Sequence, residues 1–242
     1  MTQSIARLID HSLLHPTMTE KQLREGCQLA RRLHVASVCI KPYAVPLAKE
    51  LLSGSDVAVC TVIGFPHGSN ATETKVYEAH LACQQGAVEL DMVVNVGRVL
   101  DRDWSFVESD IRAVVDAAHQ HGALLKVIFE NEFLPSDDLK IELCRICSEV
   151  RADFVKTSTG FGFISRSGGG FATIGATDHD LRLMRTHAAP EVGLKAAGGV
   201  RNYEDALRVV NLGATRIGTS STAVIVEGQP SSQAASQSEV GY

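Results

Sequence analysis

Asp153–Gly162 reads DFVKTSTGFG, a short apolar run that holds a lysine and ends in hydroxyls and glycines. Apolar and β-branched residues suit a strand, and the Thr, Ser and Gly that follow suit a tight turn. Lys156 stands where a buried strand normally carries Val or Ile. An ammonium is costly to bury unless something compensates it, so this lysine is either a structural oddity or chemistry. The rest of the chain decides between them.

Similar runs lie on both sides: LIDHSLL from Leu8, VASVCI from Val35, VAVCTVI from Val57, VELDMVV from Val88, LLKVIFE from Leu124, VGLKAA from Val192 and ATRIGT from Ala214. With DFVKTS they make eight strand candidates. Between them, TEKQLREGCQLARRL, TETKVYEAHLACQQG, WSFVESDIRAVVDAAHQHG and DDLKIELCRICSEV carry apolar residues at three-and-four spacing, and Gly closes two of them. Strands alternating with helices argue βα units and a parallel sheet. Eight such units in 242 residues predict an α/β protein with one (β/α)8 TIM barrel as a single domain. The first strand is the least regular, because Asp10 and His11 interrupt it. An open doubly wound sheet is the rival, and no G-x-G-x-x-G follows the early strands to support a dinucleotide crevice.

The barrel is expected to occupy residues 1–228. FISRSGGGFATIG, Phe163–Gly175, breaks the repeat as a Gly-rich insertion after the sixth strand. It reads equally as a lid, hinged at Gly168–Gly170 with Arg166 in reach of an anion, or as a tolerated surface loop. The polar tail from Gln229 to Tyr242 is expected to be disordered.

A formal net charge of −5 leaves no basic stripe to track a phosphate backbone, and no nucleic-acid-reading motif appears. Nucleic acid is therefore not an expected partner. Arg7, Asp10 and His11 break the apolar run at the start, which is neither a signal-peptide core nor a membrane span. A cytoplasmic protein with no membrane partner is expected. The six cysteines fall inside apolar helix or strand patterns. Cys144 and Cys147, in CRIC, have redox or metal spacing, but they sit mid-helix without a second pair and read as core.

Four successive strands each hold a charged residue among apolar neighbours: Asp91, Lys126, Lys156 and Lys195. Adjacent strands lie about 4.8 Å apart, so these groups can share one cavity. Lys126 alone reads equally as a structural partner of Asp91. The set of four is harder to dismiss, since lysine is almost never fully buried without a partner. Several lysines together suit a neutral amine. An ordinary lysine is deprotonated in about one molecule in 2,500 at pH 7, and a neighbouring cation shifts that balance. If Lys156 and Lys195 both point inward, each disfavours the other's charge, which is how a Schiff-base lysine is made. Asp91 can then move protons through water.

The glycines suggest the substrate's handle. Gly160, the pair Gly198 and Gly199, and Gly218 with Ser220 and Ser221 follow the sixth, seventh and eighth strands. Loops after the last barrel strands commonly hold phosphate on bare backbone N–H groups and hydroxyls. Any one of these glycines could instead be a tight βα turn.

IDHSLL, VCIKP, IGFPHG, ELDMVVN, LLKVIFE, FVKTSTGFG, LKAAGGVRN and RIGTSS, in this order from Leu8 to Gly228, resemble the 2-deoxyribose-5-phosphate aldolase family. The resemblance implies a class I aldolase with no cofactor and no metal, which cleaves deoxyribose 5-phosphate reversibly and serves deoxyribonucleotide breakdown. It implies Lys156 as the Schiff-base lysine, Lys195 as the lysine that perturbs it, Asp91 as acid/base and Asp10 in the proton network. It also implies small phosphorylated sugar and aldehyde partners and a homodimer or homotetramer. Two features depart from the family pattern: about ten extra residues between TSTGFG and GAT, and His67 where relatives often carry an apolar residue. Other readings are a different sugar-phosphate Schiff-base aldolase and a non-catalytic sugar-phosphate-binding barrel. A metal-dependent aldolase is a further rival, against which the nine histidines offer no ligand-spaced pair.

Overall fold

The computed structural model of the protein describes residues 4–165 and 168–230. Arg166 and the tail beyond Pro230, with Tyr242, lie outside the described residues.

Eight strands close into a parallel barrel: β1 (Ile9–Leu13), β2 (Ser37–Ile40), β3 (Ala58–Ile63), β4 (Glu89–Val93), β5 (Leu124–Ile128), β6 (Phe154–Lys156), β9 (Gly193–Ala197) and β10 (Arg216–Thr219). Sequence neighbours pair throughout, and β10 closes on β1 with Asp10 opposite Gly218. All eight expected strands are present. β1 includes the Asp10 and His11 that interrupt its apolar run. Ladders on both sides hold it, and Asp10 finds polar partners inside the barrel.

The four helices expected from their periodicity form as α1 (Glu20–Leu33), α3 (Thr72–Gln84), α5 (Trp104–Gln120) and α6 (Asp137–Glu149). Thr19 caps α1 through a reciprocal capping box with Gln22, which satisfies two otherwise orphaned N–H groups. Shorter helices complete the outer layer: α2 (Val45–Leu51), α4 (Val96–Leu100), α7 (Asp178–His187), α8 (Tyr203–Asn211) and α9 (Thr222–Glu227). Thr177 caps α7 by accepting from Asp180 N–H. The insertion is a minimal antiparallel ribbon rather than a plain loop. β7 (Ile164–Ser165) pairs with β8 (Phe171–Ala172), and the Phe163 ring meets Phe133 and Phe171 edge-on at 5.5 and 4.8 Å.

Two environments result. Ile9, Val38, Leu90, Leu125, Val155, Leu194 and Ile217 belong to the main apolar core, with Leu23, Ile111, Leu143 and Leu181 of the helices. The other strand faces turn inward. There Cys39, Cys60 and Val62 form a separate small cluster beside buried charges. An ordinary barrel fills its interior with branched apolar side chains. This one spends much of that space on ions.

All six cysteines are free thiols, and Cys144 and Cys147 are buried within α6 as expected. Burial pushes the Cys144 thiol up to about 12, which leaves it unreactive.

Candidate active site

The barrel brings the strand charges together. Asp91, in the middle of β4, is fully buried. One of its carboxylate oxygens accepts from Lys126 Nζ at 2.8 Å, and the other accepts from both Lys156 Nζ and Lys195 Nζ at 2.7 Å. Register explains the convergence: Asp91 lies opposite Lys126, and Lys156 opposite Lys195. Asp10 accepts from Lys195, from Arg216 Nη1 at 2.6 Å and from the Ser37 hydroxyl at 2.7 Å. Beneath them Glu89 bridges Lys126 Nζ at 2.7 Å and Arg216 Nη1 at 2.8 Å.

Glu89 and Arg216 are absent from the sequence reading, although a period-two signal marks both. Glu89 precedes Asp91 by two residues in VELDMVV, and Arg216 precedes Gly218 by two in ATRIGT, so each shares an inward face.

The charge states follow from these contacts. Burial alone would raise the Asp91 carboxyl, but Lys126, Lys156 and Lys195 together hold it well below the usual carboxylate range. Asp10 is lowered in the same way by Lys126, Lys195 and Arg216 against its burial. Burial disfavours the Lys195 ammonium, yet Asp10 and Asp91 raise it above an ordinary lysine. Lys126 is raised likewise by Asp10, Asp91 and Glu89. Four basic groups thus meet three carboxylates. Lys126 touches all three carboxylates, Lys195 two, and Lys156 only Asp91. The amine with fewest carboxylate partners is Lys156.

Lys156 also faces open space. A cavity of about 230 Å³ at the C-terminal end of the strands is lined by Asp10, Cys39, Lys156 and Lys195 on its floor. Gly160, Gly198, Gly199, Gly218, Ser220 and Ser221 line its wall. Asp91 and Lys126 lie below the floor. Gly218 has a local reason: a Cβ there would stand 3.2 Å from Lys195 Cε and crowd the lysine. Ser12, Thr159 and Arg201 also line the cavity and were not singled out from sequence. Arg201 stands two residues after Gly199 in AAGGVRN and adds a cationic residue to the lining.

Cys39 Sγ, Cys60 Sγ and an Asp91 oxygen lie within 4.8 Å of one another, a spacing that could hold a metal ion. The donor chemistry does not fit one. Burial and the neighbouring Cys39 and Asp91 keep the Cys60 thiol protonated. Asp91 is already committed to three ammonium groups, which would repel a further cation.

A family model described as DeoC/LacD family aldolase matches residues 4–224. The chain belongs to this aldolase family. Among curated relatives, a deoxyribose-phosphate aldolase of Clostridium perfringens strain 13 is 48% identical over 229 residues, covering 95% of this chain and 97% of that one. One from Thermococcus kodakarensis is 47% identical over 230 residues, covering 94% and 98%. Among solved structures, the tetrameric deoxyribose phosphate aldolase of Aeropyrum pernix has a TM-score of 0.81 at 32% identity, covering 92% of this chain and 89% of that one. As an aldolase of this family the chain is an enzyme, and its charged floor sits at the strand ends where barrel enzymes place their chemistry.

Proposed function

We propose that this aldolase cleaves 2-deoxy-D-ribose 5-phosphate reversibly to D-glyceraldehyde 3-phosphate and acetaldehyde, through a Schiff base on Lys156. One observation carries the assignment: Lys156 alone of the lysines on Asp91 combines a place on the cavity floor with a single carboxylate contact. Lys195, bonded to two carboxylates, stays charged beside it.

The free Lys156 amine attacks the C1 aldehyde of the open-chain sugar, and water leaves to give an iminium. This cation accepts the electron pair of the C2–C3 bond when the C3 hydroxyl loses its proton. Asp91 is ionised and so can receive that proton through a water molecule. Glyceraldehyde 3-phosphate departs and leaves an enamine on Lys156. Protonation at the enamine carbon and hydrolysis then release acetaldehyde and restore the amine. Asp10 and Lys126 hold Lys195 and Asp91 in place and complete the proton network. Gly160, Gly198, Gly199, Gly218, Ser220 and Ser221 cradle the phosphate, with Arg201 as counter-charge. Binding energy far from the breaking bond thereby fixes its position.

The chain works as a homodimer or homotetramer, a reading supported by the tetrameric Aeropyrum pernix relative. A cytoplasmic setting suits its free thiols. Among the described residues no helix is long and apolar enough to cross a membrane.

The test is acetaldehyde release from 2-deoxyribose 5-phosphate, with and without a chelator, combined with borohydride trapping and peptide mapping. An irreversible adduct on Lys156 and an unchanged rate in chelator are expected. Loss of activity restored by zinc would favour a metal-dependent aldolase instead. Binding without turnover would favour a sugar-phosphate-binding barrel.

A further inference from the structure

Two carboxyl groups beside the cavity have no part in the chemistry above, and the inference drawn from them rests on that reading. Glu130 follows β5 with φ at +54°, in the left-handed region, and is buried. A non-glycine residue persists there only where its surroundings over-determine it. One Glu130 oxygen accepts from the Thr159 backbone N–H at 3.0 Å, and the other accepts from the Thr159 hydroxyl. That hydroxyl accepts in turn from Phe161 N–H at 2.9 Å. Glu132 lies in the 3-10 turn Asn131–Phe133. It accepts from the Ser158 hydroxyl at 2.9 Å and from Gly175 N–H at 2.8 Å.

These contacts reach both walls of the phosphate cradle. Thr159 and Gly160 form one wall. Gly175 ends the insertion and lies so close to Gly198 of the other wall that a Cβ on it would stand 2.4 Å from the Gly198 carbonyl carbon. Ala176 N–H donates to Gly198 O at 3.1 Å in the same place.

The two carboxyls also face each other. Burial, with Glu132 adding to it against the Thr159 donors, pushes the Glu130 carboxyl up to about 7. Among the described residues, the charged groups of the flanking elements are paired elsewhere. Lys156 of β6 is bonded to Asp91, and Lys140 of α6 to Asp180. Asp178 at the start of α7 is bonded to Arg208.

We propose that Glu130 and Glu132 are positioning residues that clasp the Thr157–Gly160 loop and the base of the insertion against the Gly198 loop, with a proton held on Glu130 beside Glu132. Loss of that proton sets two carboxylates against each other and loosens the hold on the substrate's phosphate. The folded state favours the protonated Glu130 relative to the unfolded chain. Its stabilising contribution is therefore full below about pH 4.3, the unfolded value, and is lost as pH rises through 7.

Sulfate keeps one charge state from pH 6 to 8.5, so as a competitive inhibitor of cleavage it reads the cradle without titrating itself. Its inhibition constant should rise about 3- to 10-fold over that range in the natural chain and stay nearly flat in Glu130→Gln, which cannot ionise. Glu130→Ala should raise KM for the phosphorylated sugar about tenfold at pH 6, with kcat within about threefold and KM for unphosphorylated 2-deoxyribose unmoved. Thr159→Val, which removes the hydroxyl partner but keeps Glu130, should move KM the same way if the alanine variant does not fold. Parallel sulfate profiles in the natural chain and Glu130→Gln, or equal KM changes for both sugars, would overturn the proposal. A chain that released no acetaldehyde would sink the aldolase reading instead, and calorimetric titration with sulfate would still show whether the clasp titrates.

Discussion

Lys75 on α3 and Lys156 on β6 end in the same chemical company, an aspartate carboxylate within hydrogen-bond reach, and both are buried. Their surroundings differ. Lys75 Nζ meets Asp110 at 2.6 Å and the Val93 carbonyl at 3.0 Å, and the other Asp110 oxygen takes the Thr72 hydroxyl at 2.7 Å. Lys75 is hydrogen-bonded to one carboxylate there, and neither it nor Asp110 lines the cavity above the charged floor. The stem of Lys75 fills space under Gly64. In the barrel, one aspartate serves three amines, basic groups outnumber carboxylates, and two of the amines, Lys156 and Lys195, open onto a cavity. A buried lysine on its own therefore marks no site. An unequal count of charges beside open space does.

Substitutions can break or sharpen that contrast. The largest effect belongs to Lys156→Leu, which should cost about 10⁴-fold or more in kcat and abolish the borohydride adduct. An adduct that moved to Lys126 or Lys195 would mean the cluster has no single nucleophile. Asp91→Asn should cost about 10²–10⁴-fold in kcat/KM, read by acetaldehyde release. Lys75→Met should do the opposite. Leaving Asp110 buried without its cation costs about 3–5 kcal/mol of stability in denaturant melts, while kcat/KM of the folded enzyme stays within about twofold. Adding Asp110→Leu should restore much of that stability, because a well-packed apolar pair often replaces a buried ion pair without loss. A large kcat effect at Lys75 would erase the distinction.

Lys195→Leu tests the charge argument itself. With that cation gone, the rate at neutral pH should fall by about tenfold for each unit by which the activity midpoint climbs, and recover partly in alkaline buffer. Lys156→Leu should show no recovery. A Lys195→Leu profile depressed evenly, with its midpoint unmoved, would assign Lys195 to proton transfer or positioning.

The same contrast explains what could be read beforehand. Strands buried on both faces read as apolar runs, so all eight were visible, and lysines at 126, 156 and 195 stood out against them. Lys75 did not, because TETKVYEAH mixes polar and apolar residues and a lysine is unremarked on such a helix. Glu89 and Arg216 open their strands next to turns, where a charge normally meets water. Glu130 and Glu132 were invisible for another reason. Their hydrogen-bond partners, Thr159 and Gly175, are brought alongside by the fold and by no local pattern. The insertion read as Gly-rich loop, and its ribbon depends on aromatic contacts from Phe133, thirty residues upstream of Phe163.

The ion network under the floor closes the barrel from below. Arg216 and Glu89 join across it, and the Phe154 ring covers the Arg216 guanidinium at 5.2 Å. On the cleavage proposed above, this floor makes the two-carbon fragment on Lys156 the inner product, so the phosphorylated aldehyde, held nearer the cavity mouth, is expected to leave before it, and in synthesis acetaldehyde is expected to enter first.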